Sequence, residues 1–285
     1  MPPSQIEKYA QFKALHRADT PFVIPNPWDA GTARILSGLG FAALATTSAG
    51  YAFAAGKRDS EGALTRDEVL TNARAIVCAS DLPVSADLED GFGAAPEACA
   101  ASISMAIQCG LVGGSIEDTT GHKDTPIHGF EAAVERVAAA VEAARGQPFL
   151  LTARAEGHSY GQGDLGETIA RLQAFSEVGA DVLYAPDLPD INAIRTVCAE
   201  VDKPVNVVMG LSGPLYSVQE LGAAGVTRIS VGGSFARAAA RAALGAMIRA
   251  AQEVMGQGTF TYARDAVPDA QVRLMMSGWK AGTRV

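Results

Sequence analysis

Four cysteines in 285 residues, with no CxxC pair among them, leave little material for a disulfide framework or a thiolate metal site. Cys78, Cys99, Cys109 and Cys198 sit in apolar, Ala-rich surroundings, where a free thiol behaves as a small hydrophobe. Histidine is equally scarce: His16, His122, His128 and His158 are scattered, and none pairs at ligand spacing. Positive charge is in deficit, 23 basic against 31 acidic side chains, and the net charge of −8 argues against a nucleic-acid partner. No apolar run approaches the roughly 18 residues of a membrane span. The opening MPPSQIEKYAQFKALHR has no signal-peptide core, so a cytoplasmic location without membrane contact is expected. No GxGxxG follows the first apolar run and no GxxxxGK[ST] occurs anywhere, which removes support for nucleotide binding.

What is present is a chain with 48% hydrophobic and 19% charged residues, enough apolar matter for one sizeable core. Eight short apolar or β-branched runs recur: FVIPNP (22–27), AALATTS (42–48), PVSADLED (83–90), GGSIED (113–118), FLLTARAE (149–156), DVLYAPD (181–187), PVNVVMG (204–210) and VTRISVGG (226–233). Their starts lie 20 to 41 residues apart, the length of a strand, a crossover helix and two loops. Near-continuous apolar strands with helical crossovers imply a parallel sheet covered on both faces. The segment 65–80 opens with Thr65 and Glu68 at capping-box spacing, and other helical runs end at Gly110, Gly146, Gly179 and Gly225, suited to left-handed caps. Eight such units predict an α/β fold of the (β/α)₈ TIM-barrel type. The expected organisation is an N-terminal helix over 1–20, a single barrel domain over 21–255 and a C-terminal helical tail over 256–285. The long Ala-rich helix after the eighth strand, with Met247 and Met255, is either barrel cover or a subunit contact.

In such a barrel the active site is built at the carboxyl ends of the strands, and here those ends carry charge. The third strand supplies Asp87, Glu89 and Asp90, the fourth Glu117 and Asp118, the fifth Arg154 and Glu156, the sixth Asp187; Asp59 follows the second. Asp87 and Glu89, two apart in a strand, are expected on one face, where they repel unless a cation lies between them. An all-oxygen set suits Mg²⁺, with Mn²⁺ as the alternative, so Asp87, Glu89 and Glu117 are the candidate metal residues. Asp90 and Asp118 read better as caps of the following helices. Arg154 closes the apolar run LLTAR, and its fork suits a carboxylate or phosphonate. The bland alternative is that it holds the acids together. Asn206, at the end of the seventh strand, and the small residues Thr47, Ser48 and Ala49 are further substrate-binding candidates.

The motifs NPWDAGTARILSGLGF, TTSAGYAFAAGKRDS, DLEDGFG, SIEDTTG and ARAEG together resemble the isocitrate lyase and phosphoenolpyruvate mutase superfamily over about residues 20 to 250. That resemblance implies a (β/α)₈ barrel, a homotetramer, and Mg²⁺ holding the oxygens of a 2-oxo acid or its enolate. By position it implies that Asp87 touches the metal, that Glu89, Glu117 and Asp59 hold its waters, and that Arg154 with Thr47, Ser48 and Ala49 receives the substrate carboxylate. Two departures follow. The family pattern DxDxGYG is DLEDGFG here, with Glu89 one methylene longer, and the loop EDTTGHKDTPIHGF lacks the cysteine that serves C–C lyases as acid. His122 or Lys123 is the available substitute, or the reaction needs none. The expected function is Mg²⁺-dependent C–C cleavage of a small 2-hydroxy or 2-oxo dicarboxylic acid. Phosphonopyruvate hydrolase or mutase chemistry, oxaloacetate cleavage, and a non-catalytic barrel are the alternatives.

Overall fold

The computed structural model describes residues 1–59, 62–211 and 213–278. Each of the eight apolar runs contains one strand: β1 (Phe22–Ile24), β2 (Leu44–Ala45), β3 (Val84–Asp87), β4 (Gly113–Glu117), β5 (Leu150–Arg154), β6 (Val182–Tyr184), β7 (Val205–Val208) and β8 (Arg228–Ser230). All pairings are parallel, in the order β1-β8-β7-β6-β5-β4-β3-β2. The seam between β1 and β2 is drawn together by the Ala45 N–H donating to the Pro25 carbonyl at 3.0 Å. Asn26 reinforces it: its Nδ2 donates to the Thr46 carbonyl at 2.8 Å, and its Oδ1 accepts from the N–H groups of Val231 and Gly232. The result is a nearly closed (β/α)₈ barrel.

The crossovers are α2 (Ala30–Gly38), α4 (Arg66–Ala79), α5 (Pro96–Gln108), α6 (Phe130–Ala144), α7 (Leu165–Glu177), α8 (Ile191–Glu200) and α9 (Val218–Ala223). Thr65 and Glu68 do form the capping box of α4, and Gly110 and Gly179 end α5 and α7 with φ of 88° and 110°, which favours glycine. Each helix turns one apolar stripe to the sheet: Val69, Ala73 and Ile76 on α4, Leu172 and Phe175 on α7. Helix α1 (Gln5–Leu15) closes the amino end of the barrel, where Phe12 packs into a small core with Ile24, Val112 and Leu150. Gly113 is required there, because a Cβ would lie 2.8 Å from the Phe12 ring.

Two elements extend beyond the expected crossovers. A seven-residue helix, α3 (Ser48–Ala54), starts directly at the mouth, capped by Thr47, whose hydroxyl accepts from the Gly50 N–H. Helix α10 (Ser234–Gln257) buries only Ala236 and leaves Leu244, Met247, Ile248 and Met255 exposed. A 3₁₀ turn (Thr261–Asp265) and α11 (Asp269–Met276) follow, the latter packing on α2. Among the described residues no helix is long and apolar enough to cross a membrane.

Candidate active site

The carboxyl ends of the strands surround a cavity of about 1010 Å³. Asp59, Thr47, Ser48, Ala49, Asp87, Glu89, Glu117, Arg154 and Asn206 all line it, so the barrel brings together residues spread over 160 positions of sequence. Arg154 is the hub. Its Nη1 lies 2.8 Å from Glu117 and 3.3 Å from Asp87, its Nε donates to Glu156 at 2.6 Å, and its guanidinium stacks 4.7 Å from the Tyr184 ring centre. Asp87 accepts on its other oxygen from the Ser48 hydroxyl at 2.8 Å and the Ser48 N–H at 3.2 Å. The donors of Ser48 are thus committed to Asp87 in this arrangement.

Glu89 reaches the cavity by a route other than strand alternation. β3 ends at Asp87, and Glu89 stands beyond it with φ of 48°, a left-handed conformation that is uncommon for a side chain of this size. The turn is held by cations from behind. Arg136 of α6, 1% exposed, donates to the carbonyls of Asp90, Gly93 and Ala94, and Arg66 donates to those of Gly91, Phe92 and Ala98. Asp90 accepts from the Phe92 N–H inside this turn, and α5 begins instead with Ala95 and Pro96 without a side-chain cap. Asp118 does not cap a helix either. It is buried, accepts from the Glu156 N–H at 2.8 Å and pairs with Arg171 at 3.2 Å, which fixes the β4 and β5 ends relative to each other.

The electrostatics show an excess of acid. Burial, with Asp87, Asp90 and Asp59 nearby, pushes Glu89 up to about 8. Burial also holds Glu117 and Glu156 above the usual carboxylate range, against the opposing pull of Arg154. One guanidinium therefore does not compensate the cluster. Asp87, Glu89 and Glu117 are hard oxygen donors with unmet demand for positive charge, which fits Mg²⁺ or Mn²⁺. Among the described residues no three such groups converge into a ready cage. Mg²⁺ keeps several waters and needs only one or two direct carboxylates, so the donor set remains suitable.

His122 and Lys123 lie on an exposed turn between Thr119 and Ile127, which are joined by an antiparallel bridge, and neither lines the cavity. Asp187, with φ of 55°, accepts from Ser159 at 3.0 Å and also stands outside the lining. Sequence reasoning missed Asn26, Ser159, Tyr160, Tyr184, Arg228 and Ser230. Arg228 and Tyr184 carried a legible signal, a polar or charged side chain inside an otherwise apolar strand; the loop residues Ser159 and Tyr160 carried none.

The architecture agrees with what the chain is similar to. A crystal structure of a Burkholderia cenocepacia J2315 protein provisionally assigned as a lyase or mutase is 53% identical, covers 96% of both chains and superposes with a TM-score of 0.87. The 2-methylisocitrate lyase of Escherichia coli K12 is 29% identical over 75% of this chain and 75% of its own length. The oxaloacetate decarboxylase of Marinomonas sp. MWYL1 is 28% identical over 84% and 83%. The phosphoenolpyruvate phosphomutase family model matches residues 12–255, from the helix that closes the barrel to the end of α10, and the chain belongs to that family.

Proposed function

We propose that this protein is a divalent-metal-dependent lyase that cleaves a C–C bond in a small 2-hydroxy or 2-oxo dicarboxylic acid. The observation that carries the reading is the Arg154 hub at the strand ends, one cation among Asp87, Glu117 and Glu156, with Glu89 raised to about 8 beside it. Asp87 would hold the ion directly, and Glu89, Glu117 and Asp59 would hold its waters. When bound, Mg²⁺ would act as a Lewis acid toward oxygens on which negative charge develops. Arg154 grips the substrate carboxylate, and Asn206, a neutral amide deep in the barrel, orients the remainder.

For a 2-hydroxy acid, the hydroxyl loses its proton and becomes the 2-oxo group while the adjacent C–C bond breaks. The bonding pair leaves on the other fragment as an enolate, which a proton then quenches. For oxaloacetate, loss of carbon dioxide leaves the bonding pair on the other fragment, as the enolate of pyruvate, which a proton likewise quenches. The lyase name of the Escherichia coli relative and the decarboxylase name of the Marinomonas relative correspond to these two outcomes. The absence of a cysteine between Thr119 and Gly129 favours substrates whose product fragment takes its proton from water or from a residue of the loop after β5, such as Tyr160. The test is NMR of 2-methylisocitrate, 2,3-dimethylmalate, oxaloacetate and phosphonopyruvate incubated with the protein, in Mg²⁺ and in excess chelator. Chelator-sensitive release of a 2-oxo acid supports the reading. Release of inorganic phosphate from phosphonopyruvate moves the protein to phosphonate chemistry, and no turnover under any condition leaves a non-catalytic barrel.

A further inference from the structure

Arg228 is a cation to which the fold gives no anion. It is the first residue of β8, paired with Phe22 and Asn206, and only 6% exposed. Its Nε donates to Asn206 Oδ1 at 2.7 Å and its Nη2 to Thr152 Oγ1 at 3.0 Å, while Nη1 faces His16 Nε2 at 3.5 Å. His16 is neutral. Its Nδ1 lies 2.8 Å from the Phe12 carbonyl, which only accepts, so the proton sits on Nδ1 and Nε2 presents a lone pair. Burial and the neighbouring Arg228 hold its pKa down to about 3. All the partners of the guanidinium are therefore uncharged, and among the described residues it makes no ion pair. A guanidinium has five N–H groups, and these contacts use three. A buried charge without a counter-ion is unfavourable, which makes its retention in the barrel lumen informative.

The surroundings show what it would receive. Because Arg228 takes the oxygen of the Asn206 amide, Asn206 Nδ2 is turned to Ser230 Oγ at 3.1 Å. Arg228, Asn206 and Ser230 all line the cavity, Arg228 from the first residue of β8, and Thr152 does not. Thr152 precedes Arg154 by two residues on β5, a rise of about 7 Å, which a four-carbon diacid gripped at both ends can bridge. We propose that Arg228 is a specificity-determining residue that receives the second carboxylate of a diacid whose first is held at Arg154, and thereby discriminates against the corresponding monoacid. The inference rests on the carboxylic-acid reading given above.

L-malate and L-lactate separate the two ideas, since they share a 2-hydroxy acid head and differ in the second carboxylate; oxalate serves as a probe of the head site alone. Calorimetry on the full chain in Mg²⁺ is expected to give wild-type binding of malate at least about 10-fold tighter than lactate. Thr152→Asp sets a carboxylate against Nη2 without entering the cavity. It is expected to weaken malate about 10- to 100-fold and to leave lactate and oxalate within about twofold. A merely structural Arg228 would be better held by that new ion pair, and malate would be unaffected. Arg228→Gln should reproduce the loss, and Arg228→Lys should recover part of it. Equal wild-type affinities for malate and lactate, or a malate-to-lactate ratio unchanged in folded Thr152→Asp or Arg228→Lys protein, overturn the assignment while the carboxylic-acid reading stands. Wild-type protein that binds none of the three acids overturns both.

Discussion

Glu89→Gln removes the charge of the most conspicuous acid at the mouth while keeping its length, and its effect on stability follows from the cluster. Burial and the neighbouring carboxylates raise Glu89 from an ordinary 4.5 to about 8. Between those values the unfolded chain has lost the proton that the folded protein still binds, so wild-type stability falls as pH rises through that window. At about 1.36 kcal/mol per unit, the shift sets a ceiling of about 4–5 kcal/mol. Glu89 is only partly buried and solvent screens it, so about 1–3 kcal/mol is the expected size. In chelator, Glu89→Gln should therefore match wild type at pH 4.5 and exceed it by this amount at pH 8.5, read by urea denaturation across the range. Mg²⁺ should reverse the order at pH 7.5, because a cation stabilises the ionised wild-type carboxylate and gives the amide much less. Wild-type protein should also release close to one proton on binding the ion, and the variant should release less. Parallel pH profiles for the two proteins, or a variant less stable at pH 8.5 in chelator, would refute the claim that Glu89 is an uncompensated acid.

Four further outcomes test other parts of the reasoning. Asp87→Ala, which removes the carboxylate held by Ser48 and Arg154, should abolish metal-dependent turnover and leave the circular dichroism spectrum unchanged. Arg171→Met leaves the buried Asp118 without its cation and should destabilise the protein by about 3–5 kcal/mol in denaturant titrations. His122→Ala should keep turnover within about threefold, since His122 is exposed outside the cavity; a loss of about 10²–10⁴ would instead make it a general acid carried by a turn that closes over the mouth. Paired Leu244→Glu and Met247→Glu on the exposed face of α10 should lower the molar mass found by light scattering, as expected if that face joins subunits of a homo-oligomer.

The barrel was legible because its two periods are written plainly: a run such as FLLTARAE has no amphipathic face, and TRDEVLTNARAIVCAS has a helical one. The acids and Arg154 were legible for a related reason, since charge at the end of such a run has no packing role and must meet something at the rim. Rotation of side chains about the chain was not legible. Glu89 was expected beside Asp87 by strand alternation, yet it arrives through a left-handed turn pinned by Arg136 and Arg66, cations 47 and 23 residues away in sequence. Asp118 was expected at a helix cap and lies instead beneath the site, because Arg171 of α7 offers it a buried partner. In each case the deciding partner is an arginine on the helical shell. Arg171 pairs with an inward acid, and Arg136 and Arg66 donate to backbone carbonyls of the turn after β3. Arg228 differs in coming from a strand and standing in the barrel lumen, where its partners are neutral side chains, so it supplies the lumen with positive charge that the protein's own acids do not pair. A site built this way is acidic at the rim, where a metal ion would bring the missing charge, and cationic at its base, where the ligand would. That polarity orients a diacid before any chemistry begins, which is the form that differential binding takes when both ends of a small substrate are charged.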